Sequence, residues 1–245
     1  MLAEAAAAAA LAYMAFEDVR RREVRERDFA LLMVAVVAAK VVDWLAGRPI
    51  AYGPLPLNLY LALDGVMLAA ASVLALLRLY GWGDVAAMLM VAVASPGAPP
   101  GGVTPAVVLT MMYSAVILVF YAAANALLNL ARHRELLRRV PPSLRLLYLL
   151  AARPVKVREL LERPGWRYPL NLCGEYRARF NIYLDPPDIA RMVREAVRRG
   201  CVGEEDYVWV AHGHPGIALI AAGYTATLAL GDPLKLVAGA GSLEG

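Results

Sequence analysis

The sequence predicts an all-α polytopic membrane protein, with six transmembrane helices and a small cytoplasmic α+β segment before the last span. Composition is the first reason: 60% of the 245 residues are hydrophobic and the mean hydropathy is +0.52, whereas soluble domains are about 45–50% apolar. The second is that the apolar residues form runs, most of them near the ~20 residues that a membrane-spanning helix needs. The third is that 22 of the 25 Lys and Arg fall on one side of the membrane when the runs are counted as spans.

Six apolar runs are predicted to cross the membrane, and a basic loop sets their direction. Cytoplasmic loops are enriched in Lys and Arg, and the loop after the first run carries five arginines within residues 20–27. This loop is therefore predicted to be cytoplasmic, with both termini outside. The runs cover residues 2–16, 29–45, 57–80, 85–95, 105–128 and 207–230.

The chain is expected to have four parts. Residues 1–128 hold five spans and the loops that join them. Residues 129–206 form a basic cytoplasmic α+β segment with 16 of the 25 Lys and Arg. Residues 207–232 form the sixth span, and residues 233–245 form a short extracytoplasmic tail.

Three patterns lie within the cytoplasmic segment. Residues 132–150 form a basic amphipathic stretch broken at Pro141-Pro142, which is typical of a helix on a membrane surface. Polar and apolar residues alternate over 176–184 and predict a strand. The sequence Asp185-Pro186-Pro187-Asp188 has the capping acid and prolines of a helix start, and Gly200 marks its end after Arg199.

The cysteines and histidines do not predict a metal or a cofactor. Cys173 and Cys201 lack the spacing of metal ligands, so reduced thiols in a cytoplasmic compartment are expected. A disulfide between them is the alternative if the protein comes from a hyperthermophile. His212 and His214 open the last run without a third partner, and we predict no metal site there.

Two aspartates are the candidate catalytic residues. Asp84 ends the polar stretch Gly81-Trp82-Gly83-Asp84 between two apolar runs. A carboxylate near the membrane interior is energetically costly, so a functional role is the first hypothesis for it. Asp18 follows the apolar run at the start of the chain. Counting spans places both acids on the cytoplasmic side. The run after Asp84 is only about 17 Å long as a helix. If that helix starts at the glycines, Asp84 lies inside the membrane margin.

Two neighbouring carboxyl groups can perform aspartic protease chemistry. Close carboxylates cannot both ionise, so they share one proton. The ionised group takes a proton from water, and the protonated group donates a hydrogen bond to the scissile carbonyl. Gly81 and Gly83, which have no side chains, are expected to let an extended substrate backbone approach closely.

The chain resembles the archaeal prepilin and preflagellin (prearchaellin) peptidases, which are intramembrane aspartyl proteases with a Gly-x-Gly-Asp-type motif. The resemblance rests on Asp18 followed by arginines, on Gly81-Trp82-Gly83-Asp84, and on the late residues Trp209, Val210 and 215–218. It implies removal of the short positively charged leader of type IV pilin-like or archaellin precursors at the cytoplasmic face. Asp18 and Asp84 take the family's catalytic roles.

The resemblance implies two binding partners, the precursor proteins and the lipid bilayer. No nucleic acid partner is expected. Acidic residues near the site, Glu17, Glu23 and also Glu26, are candidates for binding the basic leader. The sequence departs from the family at Ala86, where members often carry Lys, and at Ala218-Leu219. It also lacks the cysteine-rich insert of the bacterial relatives that methylate the new N-terminus, so peptidase activity alone is predicted.

Two other classes of protein fit parts of the sequence. A small polytopic transporter would use Lys40, Asp43 and Asp64 along its pathway, although Lys40 and Asp43 are close enough to the far interface to reach it. A non-catalytic membrane scaffold would make both aspartates ordinary helix-end acids. That interpretation suits Asp84 at a helix start, but it suits Asp18 poorly because that acid is expected to follow a helix C-terminus, where negative charge is disfavoured.

Overall fold

The computed structural model describes residues 1–21, 23–77, 80–163, 165–179, 181, 184–213 and 215–235. The contacts divide the chain into two units. A helical unit comprises residues 1–118 and 215–235, and a smaller α/β unit comprises residues 119–213. The predicted small α+β segment near the C-terminus is thereby confirmed, and most of the chain is helical as expected.

The shortest helix of the helical unit, α4, lies at its centre. Helix α4 contacts α1, α2, α3 and α10, and the buried residues Met88, Met90 and Val91 lie along it. The small residues Ala7 and Ala10 of α1 and Ala87 of α4 share this core, which allows close helix packing. The helices are α1 (Leu2–Arg21), α2 (Glu26–Leu45), α3 (Leu57–Leu76), α4 (Trp82–Ala94), the first part of α5 (Ala106–Arg132) and α10 (Gly216–Leu230).

Two of these helices, α3 and α5, are long and apolar enough to cross a membrane. Helices α1 and α2 also have 20 residues each, but charged residues at their ends shorten the apolar stretch. Helices α4 and α10 are apolar but have only 13 and 15 residues. The structure therefore gives six helices at the predicted positions and does not confirm six spans.

A close approach joins α10 to α5 within the helical unit. A Cβ atom on Gly223 would lie 2.2 Å from Ser114 Oγ and 2.4 Å from the Thr110 carbonyl oxygen. The Ser114 hydroxyl donates to the Leu219 carbonyl of α10 at 2.9 Å. Small residues and hydroxyl groups at a helix interface are the usual means of association between apolar helices.

The α/β unit contains a three-stranded antiparallel sheet in the order β1-β5-β2 and a short hairpin, β3-β4. Ile189 and Val193 of α9 pack with Val157 and Leu160 in its core. The strands are β1 (Ala152–Lys156), β2 (Arg167–Pro169), β3 (Asn171–Leu172), β4 (Glu175–Tyr176) and β5 (Tyr207–His212). The helices are α6 (Arg134–Arg138), a 3-10 turn (Pro142–Leu144), α7 (Arg145–Ala151), α8 (Val157–Glu162) and α9 (Pro186–Arg198).

The helix limits predicted from prolines and glycines agree with this unit. The break at Pro141-Pro142 separates α6 from the 3-10 turn. Helix α9 follows Asp185 and ends at Arg198, and Gly200 has a φ of 69°, a backbone conformation that favours glycine. Local steric preferences were sufficient to predict these boundaries.

Three expectations for this region need correction. Residues 207–212 form β5 and α10 begins only at Gly216, so the predicted last helix is shorter; Val208 and Val210 suit a buried strand as well as a helix. Of the strand predicted over 176–184, Tyr176 alone is in a described strand, and Phe180, Ile182 and Tyr183 lie outside the described residues.

The third correction concerns the cysteines. Cys173 and Cys201 form a disulfide, whereas reduced thiols were expected. Spacing in sequence does not show that the loop after β3 and the end of α9 meet in space. The disulfide joins them across 28 positions of the chain.

Candidate active site

Asp18 lies inside α1 and not beyond its end. The helix continues past the predicted limit at residue 16 and ends at Arg21, because Glu17 to Arg21 contains no helix breaker. Asp18 is only 9% exposed. Its side chain is therefore part of the packed interior of the helical unit, which corrects the expectation that it follows a helix end.

Asp84 occupies the first turn of α4. The helix starts at Trp82 with Gly81 at its N-cap, which is the start at the glycines that the short run after Asp84 allowed. The Gly81 N–H donates to Asp84 Oδ2 at 3.1 Å, which satisfies one of the backbone donors left free at a helix start. Asp84 is partly exposed, so one aspartate of the pair is buried and the other is open to its surroundings.

The first turn of α10 contacts both aspartates. The Ile217 N–H donates to Asp18 Oδ2 at 3.2 Å. A Cβ atom on the preceding residue, Gly216, would lie 2.2 Å from Asp84 Oδ1 and 2.7 Å from Asp84 Oδ2. Asp84 therefore packs against the bare α-carbon of Gly216. Two adjacent residues of α10 hold carboxylates that come from α1 and α4.

These contacts limit the distance between the two carboxylates. Standard backbone bond lengths between the α-carbon of Gly216 and the nitrogen of Ile217 put Asp18 Oδ2 and Asp84 Oδ1 no more than about 10 Å apart. Both oxygens are also near helix N-termini, where the helix dipole and free N–H groups stabilise negative charge. The structure thus brings the two predicted aspartates together.

The glycines before Asp84 pack against protein in this structure. A Cβ atom on Gly83 would lie 3.1 Å from Ile217 Cδ1, and one on Gly81 would lie 3.1 Å from Asp84 Oδ2. Gly83 therefore lets α10 approach α4, and Gly81 leaves room for the carboxylate. These roles are additional to the close approach of a substrate that the sequence suggested.

The acids predicted to bind the basic leader differ in accessibility. Glu17 is half-buried and pairs with Arg21 at 3.3 Å on the same helix. Glu23 is exposed between α1 and α2, and Glu26 is exposed in the first turn of α2. A positively charged segment would have to displace Arg21 to pair with Glu17, whereas Glu23 and Glu26 face solvent.

The three charged residues that a transporter would use are Lys40, Asp43 and Asp64. Lys40 and Asp43 make local contacts, and Asp64 makes no described hydrogen bond. Lys40 donates to the Ala94 carbonyl at 3.0 Å. Asp43 is buried, accepts the N–H of Ala3 at 2.9 Å and pairs with Arg48. Asp64 is 3% exposed, and neither carboxylate oxygen has a hydrogen-bond partner in the described part of the chain. These contacts do not form a continuous polar path.

The histidines add no metal-binding group to this site. His212 belongs to β5, and His214 lies outside the described residues. Among the residues that the structure describes, no group of three or more His, Cys, Asp or Glu side chains is arranged to hold a metal ion.

The fold and the site define a mostly helical protein in which the start of α10 contacts two aspartates, one from α1 and one from α4. Residues 144–233 match the family model described as Archaeal Peptidase A24 C-terminus Type II. This segment is therefore similar to the C-terminal part of archaeal A24 peptidases, and the resemblance of the chain to the prepilin and preflagellin peptidase family is confirmed. No curated protein matches the chain.

The matched region contains Gly216 and Ile217 but neither Asp18 nor Asp84. In the sequence, Gly216 and Ile217 belong to the resemblance only as part of residues 215–218 and have no predicted role of their own. The signal that could have identified them is the Pro-Gly pair immediately before an apolar run, because a glycine in a first helical turn permits close approach of another group.

Proposed function

We propose that this protein is a membrane-embedded aspartic endopeptidase that removes the short basic leader of type IV pilin-like or archaellin precursors at the cytoplasmic face. The observation that carries the proposal is the contact of Gly216 and Ile217 with the carboxylates of Asp84 and Asp18. The match to the A24 peptidases supports a protease. The aspartate pair supports the aspartic type.

The proposed hydrolysis uses one proton shared by the two aspartates. The ionised carboxylate takes a proton from a water molecule, and the water oxygen attacks the carbonyl carbon of the scissile bond. The protonated carboxyl donates its proton to the carbonyl oxygen. Collapse of the tetrahedral intermediate breaks the C–N bond, and the leaving amine takes a proton from the aspartate that received it from water. One hydroxyl group of the intermediate returns its proton to the other aspartate as the C=O bond re-forms, so the pair again shares one proton.

The two carboxylates are suited to this task because surrounding groups hold them in place. Asp18 is fixed by a backbone N–H and by burial, and Asp84 is fixed by Gly81 and by contact with Gly216. Catalytic groups held in place avoid the entropic cost of being ordered during the reaction.

Substrate recognition is proposed to use charge beside the site. The basic leader would meet Glu23 and Glu26, which are exposed, and would compete with Arg21 for Glu17. The backbone of the scissile segment would lie beside Gly81 and Gly83. Six spans, both termini outside and residues 129–206 in the cytoplasm belong to the same proposal, supported by the arginines that follow α1.

The test is cleavage of a pilin-like precursor by the purified protein. Asp18→Asn and Asp84→Asn should each reduce the cleavage rate at least about a thousandfold, because each removes one of the two proton-transferring groups. Asp28→Asn, at the start of α2, is the matched control and should cleave normally. Near-normal cleavage by either of the first two variants would remove that aspartate from the mechanism.

A further inference from the structure

The strongest feature outside the candidate active site is a surface of exposed leucines and arginines at the end of the long apolar helix α5. We name residues 132–151, which include α6, the 3-10 turn and α7, the arginine hairpin. Its leucines Leu146, Leu147 and Leu150 are exposed, with Leu146 at 67%. Their spacing of one and four places puts them on one side of α7. The opposite side of α7 is buried through Tyr148.

The arginine hairpin carries a net positive charge. It contains five arginines and one acid, Glu135. Glu135 pairs with Arg138, and Arg145 donates to the carbonyls of Val140 and Arg138. The other three arginines are exposed and have no carboxylate partner among the residues that the structure describes. They are Arg132, Arg134 and Arg139.

Two asparagines fix the arginine hairpin to the last turns of α5. The Asn125 side-chain amide donates to the Leu150 and Ala152 carbonyls at 3.1 and 3.0 Å. The Asn129 amide donates to the Leu149 and Ala152 carbonyls at 3.0 and 2.8 Å. These carbonyls at the end of α7 have no partner within their own helix, so the asparagines cap α7.

This attachment sets the depth of the arginine hairpin. The apolar part of α5 ends at Leu128, and the exposed side chains of Leu127 and Leu130 lie beside the two asparagines in sequence. If α5 crosses the membrane, residues 125–130 lie at its cytoplasmic interface. Helix α7, which is bonded to Asn125 and Asn129, must then lie at the same level.

We propose that the arginine hairpin docks on the bilayer surface and binds anionic lipid headgroups. The exposed leucines of α7 would enter the boundary between headgroups and acyl chains, and the unpaired arginines would contact phosphates, as in amphipathic helices that lie in the interface. The partner is a lipid surface because apolar and basic side chains occur together at the end of an apolar helix. The proposal rests on the membrane location of α5 but not on peptidase activity.

The test measures amide hydrogen exchange of residues 132–151 in the full-length protein. The protein is reconstituted in nanodiscs of phosphatidylcholine alone or of phosphatidylcholine with phosphatidylglycerol. Exchange should be several-fold slower in the anionic discs, because each arginine near an anionic surface strengthens binding about fivefold. Raising the salt from ~0.15 M to ~1 M shortens the screening length from about 8 Å to about 3 Å and should reverse most of the protection.

Charge-matched variants separate the hairpin from general electrostatics. Arg132→Gln, Arg134→Gln and Arg139→Gln together should abolish the difference between the two lipids. The control combines Arg163→Gln, Arg194→Gln and Arg198→Gln and should keep it. Arg163 directly follows α8, Arg194 and Arg198 lie on α9, and all three are exposed. Leu146→Ser with Leu150→Ser should speed exchange in both lipids.

Two results would overturn the proposal. One is equal exchange of residues 132–151 in neutral and anionic discs, or equal loss of protection in both triple variants. The other is protection by a nucleic acid duplex in neutral discs with none from anionic lipid, which would assign the surface to nucleic acid. Precursor cleavage in the same nanodiscs reports on the proposed function separately.

Discussion

The α-carbon of Gly216 lies against the carboxylate of Asp84, so closely that a methyl group at this position would be 2.2 Å from Asp84 Oδ1. A real Cβ atom cannot occupy that position. Ile217, the next residue, donates its N–H to Asp18. The start of α10 therefore determines the positions of both proposed catalytic groups.

Gly216→Ala is expected to reduce precursor cleavage by about a hundredfold or more, because a shift of about 1 Å in a catalytic group is enough for such a loss. The measurement is the cleavage rate, with the melting temperature recorded in parallel. Gly65→Ala in α3 is the matched control, because a Cβ atom there meets nothing within 4 Å. It should cleave normally and be more stable by roughly 0.5–1 kcal/mol, since alanine favours a helix more than glycine. Normal cleavage by Gly216→Ala would show that the Asp84 position in the structure is not required.

Asp64→Leu is expected to raise the free energy of unfolding by about 1–2 kcal/mol, because it removes a buried polar group without a described partner. Asp43→Leu should lower it, since Asp43 accepts the Ala3 N–H and pairs with Arg48. Denaturant titration of the two variants in the same detergent measures the difference. Asp64→Leu should also cleave precursor normally. A large loss of cleavage would give Asp64 a role that the proposed mechanism lacks.

Reduction of the disulfide between Cys173 and Cys201 is expected to destabilise the α/β unit. Closing a loop of 28 positions restricts the unfolded chain and corresponds to about 3–4 kcal/mol in the chain-entropy treatment. Thermal unfolding with and without reductant measures the effect. The double variant Cys173→Ser and Cys201→Ser should unfold at the temperature of the reduced protein and be insensitive to reductant. An unchanged unfolding temperature after complete reduction would contradict the expectation.

His133 is expected to make the stability of the protein fall as the pH falls. Burial lowers the pKa of His133, and the neighbouring charges of Arg132 and Arg153 lower it further. Below the unfolded pKa of about 6.5, the unfolded chain binds a proton that the folded state resists. Stability from this histidine is therefore present above pH 6.5 and is lost as the pH falls from that value through the lower pKa of the folded state.

The measurement compares wild type with His133→Gln by denaturant unfolding at pH 7.5 and pH 5. The variant should lose less stability between the two pH values than wild type does. Equal losses in both proteins would mean that other groups cause the pH dependence. Lys156 and Glu205 are unsuitable for this test, because they form an exposed ion pair that solvent screens.

The sequence alone determined several features that depend on local chemistry. Apolar runs predicted helices at six positions, and the shortness of the run after Asp84 allowed an early start for α4 at the glycines. Prolines and Gly200 predicted the limits of α6 and α9. Each of these signals acts within a few residues, so no knowledge of distant contacts is needed.

Tertiary structure decided the features that depend on residues far apart in the chain. It buries Asp18 within α1, assigns Val208 and Val210 to a strand and joins Cys173 to Cys201. Local sequence cannot distinguish a buried strand from a short helix, because both are apolar. It also cannot show that residue 217 meets residue 18, since that contact exists only after α1, α4 and α10 pack together. The sequence identified the two aspartates, and the packing of three helices decided that one short turn holds them both.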